Sequence, residues 1–201
     1  NDRVRISASA NGQSTNAWAL RDSSIDTGSG NDHVDLNAST RAGRFDPSWG
    51  MEGSSLDTGS GNDRVRISAN ARGNTTDTIA AYGAVDSQLD TGSGNDRIDI
   101  RAAASNRRGY AEAIGLDSSS LDTGSGNDRV RISANARGQS TNAWAVQDSS
   151  IDTGSGNDHV DLNASTRAGR FDPAWGMEDS SLDTGSGNDR VRISANARGN
   201  T

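Results

Sequence analysis

The chain has 201 residues and a formal net charge of −7, with 27 acidic against 20 basic side chains. Leucine, isoleucine, valine and phenylalanine supply only 28 residues, or 14%, below the roughly 20% at which a charged chain ordinarily stays disordered, so a conventional globular core of this size is not expected. The acidic balance argues against nucleic acid as a partner, no apolar run approaches the roughly 20 residues of a membrane span, and the absence of cysteine rules out disulfides and thiolate metal sites.

The string DTGSGND begins at residues 26, 57, 90, 122, 152 and 183, at spacings of 30 to 33. Self-similarity at this period is the signature of a solenoid. A thin repeat buries little alone, but stacked neighbours share one continuous core, which reverses the expectation of disorder. Residues 1–75 match residues 127–201 at an offset of 126 and differ at six positions, so four repeats form a larger unit. The chain starts and stops inside a repeat, has no signal-peptide-like opening, and is expected to be one continuous solenoid over 1–201, a window of a longer periodic protein.

Within one repeat, the first predicted element follows the DTGSGND string. Arg64-Val65-Arg66-Ile67-Ser68-Ala69 alternates with period two, which reads as a half-buried strand. Its inward positions form columns along the array: Val4, Val34, Val65, Ile98, Val130, Val160 and Val191, then Ile6, Leu36, Ile67, Ile100, Ile132, Leu162 and Ile193. The outward residue between them reads Arg5, Asp35, Arg66, Asp99, Arg131, Asp161, Arg192. Strict sign alternation sets each charge beside opposite ones, and a one-coil slip would set like beside like, so this column is a register device.

Polar, Gly-containing stretches such as RAGRFDP and ARGNTTDT follow and carry the length variation; surface corners are predicted there. A second apolar segment carries the column Trp18, Trp49, Tyr82, Ile114, Trp144, Trp175. Because Met51 and Val146 share its spacing, this column is expected in the core, with a saccharide-stacking platform as the other reading. Directly before each motif stands Ile25, Leu56, Leu89, Leu121, Ile151 or Leu182. The whole reads as an all-β, right-handed parallel β-solenoid of six to seven coils, about 31 residues each, with a four-coil super-repeat of 126 residues.

The motif itself has the parts of a cation-binding corner. Two glycines allow conformations closed to other residues, and two aspartates bracket the turn. The candidate metal residues are Asp26, Gly28, Gly30 and Asp32 in the first copy, then Asp57, Gly59, Gly61 and Asp63, and Asp90, Gly92, Gly94 and Asp96. The later copies supply Asp122, Gly124, Gly126 and Asp128, then Asp152, Gly154, Gly156 and Asp158, and Asp183, Gly185, Gly187 and Asp189. Hard oxygen donors suit Ca²⁺, while the only two histidines, His33 and His159, stand four coils apart, which disfavours zinc. Stacked at about 4.8 Å, the second aspartates would repel by about 1 kcal/mol per neighbour in water and about 3–4 at an effective dielectric of 20. Cations or arginines are therefore expected between them.

TGSGND followed by an apolar residue two positions on resembles the calcium-binding RTX nonapeptide, G-G-x-G-x-D-x-U-x. That family implies a β-roll in which turn carbonyls and the aspartate bind several Ca²⁺ ions shared between successive coils. Here Thr27 and its equivalents replace the first glycine, and the motif occurs once per coil. The array also resembles the oscillin-type surface-fibril proteins of cyanobacteria, which implies an extracellular, cell-surface fibre. The expected function is thus a structural calcium-binding element of an extracellular fibre, filament or surface layer; the alternative is the repeat stalk of a large secreted adhesin or RTX protein. Self-association is expected, a surface polysaccharide is a possible partner, and neither nucleic acid nor membrane insertion is. Catalysis is not expected, because an active site needs a unique constellation and nearly every residue here is one of several copies.

Overall fold

The computed structural model describes residues 1–13, 15–42, 47–168 and 172–199. Three parallel sheets wind along one axis, and no strand among the described residues pairs antiparallel. The long sheet has seven strands: Arg3–Gly12, His33–Ala42, Arg64–Gly73, Arg97–Asn106, Arg129–Arg137, His159–Ala168 and Arg190–Gly199. A middle sheet of six takes Ala17–Arg21, Ser48–Glu52, Ile79–Val85, Tyr110–Asp117, Ser140–Gln147 and Ala174–Glu178. A short sheet of six is built from Ser24–Asp26, Ser55–Asp57, Gln88–Asp90, Ser120–Asp122, Ser150–Asp152 and Ser181–Asp183.

Every predicted column is a column of paired residues. Val4 pairs Val34, Val34 pairs Val65, and the run continues to Val191; the Ile6 and Arg5 columns behave alike. The long and middle sheets face one another across a core of Leu36, Ile67, Ile98, Ile100, Ile132 and Leu162 against Met51, Ile79 and Leu116, all under 2% exposed. Leu56, Leu121 and Ile151 close it from the short sheet. The ARGNTTDT corner falls between strands as expected, at 74–78. The RAGRFDP corners lie partly outside the described residues, at 43–46 and again at 169–171.

The aromatic column departs from its expected place. Ile114, its aliphatic member, is buried, but the aromatic members, which stack with ring centroids 4.8 Å apart for Trp18 and Trp49 and 4.7 Å for Trp144 and Trp175, are half-buried and alternate with buried Ala17, Ala81 and Ala143. They therefore stand on the outer face of the middle sheet rather than in its core. The cause is the next position, Gly50, Gly83, Gly115 or Gly176, with Ala at 19 and 145. A Cβ on Gly83 would lie 2.5 Å from Ile100 Cγ2 and 2.2 Å from the Gly115 carbonyl, so the backbone itself fills the core there and the large rings turn outward. Met51 and Val146 then point inward one step later. Glu178 accepts the Trp144 indole N–H, and the Arg21 guanidinium lies 4.6 Å from the Trp18 ring centroid.

Candidate functional site

Each DTGSGND corner pairs with the corner above it. Ser29, Ser60, Ser93, Ser125, Ser155 and Ser186 form a continuous run of parallel bridges. Gly30 N–H donates to Ser60 O at 2.7 Å and Ser60 N–H to Gly28 O at 2.9 Å, a pattern repeated along the array. The glycines are required by this approach: a Cβ on Gly61 would lie 1.5 Å from the Gly30 carbonyl oxygen, at a φ of +135°. Gly28, Gly59, Gly92, Gly124, Gly154 and Gly185 also hold positive φ.

The two aspartates of a motif lie on opposite faces of the turn. The first, at 26, 57, 90, 122, 152 and 183, is exposed. In four copies its Oδ1 accepts the N–H of the glycine two residues on, at 2.9 Å. The second points inward with the Val column; Asp32, Asp63, Asp96, Asp128 and Asp158 are each 2% exposed. Among the described residues, neither an arginine nor an adjacent histidine reaches it. Instead each Oδ1 accepts the main-chain N–H of the equivalent aspartate one coil back: Asp32 N–H to Asp63 at 2.7 Å, Asp63 to Asp96 at 2.7 Å, Asp96 to Asp128 at 2.8 Å, Asp128 to Asp158 and Asp158 to Asp189 at 2.9 Å. Amides thus take the place the sequence reasoning assigned to cations or guanidinium groups, for one oxygen of each pair.

The other oxygen is left over. Oδ2 of Asp32, Asp63, Asp96, Asp128 and Asp158 is buried with no hydrogen-bond partner among the described residues. The Thr91 hydroxyl lies beside the Asp96 carboxylate, near enough to favour its charged form but not aligned as a hydrogen bond. Burial nevertheless dominates and pushes the Asp96 carboxyl up to about 6, against the Asp63 amide and the Thr91 hydroxyl, which lower it. Asp128 is raised for the same first reason. At the first coil the Asp2 amide holds Asp32 below the usual carboxylate range.

These donors fit a hard cation in kind, being oxygens only, and the orphaned Oδ2 atoms are the ones such an ion would take. The Gly28-type carbonyls are already engaged between coils. Among the described residues, no three acidic or histidine side chains converge as a ready-made cluster, because the two aspartate columns face apart. His33 and His159 stand half-buried on the outer face of the long sheet.

Three features escaped the sequence reasoning. Outside the buried column, the asparagines form a ladder in the opposite sense, with Asn62 N–H donating to Asn31 Oδ1 at 2.7 Å and Asn95 to Asn62 at 2.8 Å. At the corner between the middle and short sheets, serines form another: Ser54 N–H donates to Ser87 Oγ and Ser87 N–H to Ser119 Oγ. Asp22, Asp86, Asp148 and Asp179 hold φ of 45 to 47° there. The third is charge segregation. Fifteen of the twenty arginines stand on the long strands, all exposed, with only Asp35, Asp99 and Asp161 among them. The short strands with their preceding corner carry ten exposed aspartates and no arginine. The signal was present, since outward positions at both ends of the long strand are repeatedly Arg, but the chain total of −7 averages the two surfaces away.

No family model, no curated protein and no solved structure matches the chain.

Proposed function

We propose that the chain is a structural element, a calcium-stabilised β-solenoid serving in an extracellular fibre, filament or surface layer. One observation carries the reading: five buried carboxylates stand one coil apart, each with an oxygen that has no hydrogen-bond partner among the described residues. A buried carboxylate oxygen without a partner is costly, and either a proton or a cation removes the cost. Outside cells, calcium is abundant enough to fill weak oxygen sites. The second aspartates, Asp32 through Asp189, would hold the ions, and bound Ca²⁺ would supply positive charge between coils and so couple folding to the medium. The remaining structure is suited to mechanical work, since every coil is tied to the next by three sheets and by aspartate, asparagine and serine ladders.

Chelation tests this. With EDTA at neutral pH the melting temperature followed by β circular dichroism should fall and return when calcium is added; a melt unchanged by thorough chelation contradicts the calcium part of the reading.

A further inference from the structure

Most arginines of the long sheet have no carboxylate partner among the described residues. Of its fifteen arginines, three reach a carboxylate among the described residues: Arg5 and Arg131 at 3.9 Å and Arg101 at 2.7 Å. Arg66 and Arg192 stand in register with Asp35, Asp99 and Asp161, but toward the two ends of the strand like stands on like. Arg64, Arg97 and Arg129 are consecutive in one column, and Arg137, Arg167 and Arg198 in another. Like charges directly opposite one another in a sheet are unfavourable, and nothing in the core requires arginine at these exposed positions. The converse holds on the short sheet, where the first aspartates of the motif pair with one another coil after coil.

We propose that the partner of the arginine face is a second copy of this chain, docked through the aspartate columns of its short sheet. The two surfaces match in sign, and they match in period, because both are spaced by one coil of the same solenoid. Two copies with parallel axes would therefore bring Asp beside Arg at every coil, however many coils the array has. A groove along the outer edge of the long sheet, lined by Arg41, Arg72 and Arg137 with Asn70 and Ser105, offers the aspartates a polar bed. The contact joins two different faces, so each copy keeps one of each free, and such heterologous contacts propagate into open arrays. The inference deepens the structural role proposed above by naming its contact, and it stands apart from the calcium sites.

Sedimentation velocity on the chain tests it, with and without calcium, and with circular dichroism as a check on folding. At low salt the chain should self-associate, and in about 1 M salt, where the Debye length is about 3 Å, it should dissociate while folded. Two variants locate the faces. Arg72→Glu, Arg137→Glu and Arg167→Glu together should abolish self-association yet leave a chain that caps wild-type arrays. Ser55→Arg, Gln88→Arg and Ser150→Arg, which leave every aspartate in place, should weaken self-association several-fold. A folded chain that is monomeric at low salt, association indifferent to either variant, or a monomer that retains an anionic polyuronate on the arginine face would each overturn the proposal. Loss of β structure on chelation reports on the calcium sites instead.

Discussion

At the scale of single residues, the second aspartate of the motif has two jobs that different substitutions separate. Its Oδ1 satisfies the neighbouring coil's amide and its Oδ2 carries the uncompensated charge. Asp96→Ala leaves the Asp63 N–H buried and unpaired, and should cost about 1–3 kcal/mol in chemical denaturation. Asp96→Asn keeps an acceptor and removes the charge, so in chelator it should cost much less than the alanine change or stabilise the chain. If both variants lose stability equally in chelator, the charge is not the problem the structure implies. Gly94→Ala is a purely steric test: at φ +136° its Cβ would lie 1.6 Å from the Gly61 carbonyl oxygen, and a loss of about 1–3 kcal/mol is expected. The need for glycine was legible from the repeated string. The amide cap was not, because a sequence shows that aspartates stack but not which main-chain donor they meet.

Among the elements, the buried aspartate ladder makes stability depend on pH, and the sign is fixed by its cause. Burial raises Asp96 to about 6 and raises Asp128 as well, so the folded chain holds these protons at pH values where the unfolded chain has released them. Stability from this source is gained as pH falls through about 6 toward about 4 and is lost as pH rises through the same window. Asp32 is shifted the other way by the Asp2 amide and opposes the trend at the first coil. In chelator the melting temperature should rise on acidification from neutrality to about pH 4.5, and saturating calcium should flatten that slope by favouring the charged form. A melt that falls steadily over the window would contradict the assignment. Strand placement was legible here because inward Val, Ile and Ala recur with period two. The outward turn of the tryptophans was hidden, since it depends on the backbone at Gly50, Gly83 and Gly115 occupying core space that a side chain would otherwise fill.

Over the whole molecule, one period governs everything: hydrophobic columns, polar ladders and charged faces repeat together, which is why the solenoid could be read from spacing alone. Net charge could not be read the same way, because −7 for the chain conceals an arginine-rich sheet and an aspartate-rich one. The acidic balance that argues against a polyanionic partner holds for the sum and not for the long sheet. The account of the molecule as a cation-neutralised structural rod comes down to whether metal lies beside the second aspartates. A crystal grown in calcium, with an anomalous difference map calculated for that element, decides it. A row of peaks repeating coil by coil next to the Oδ2 atoms of Asp63, Asp96 and Asp128 is the predicted result; a map featureless there, from a chain that is fully folded in calcium, would contradict it.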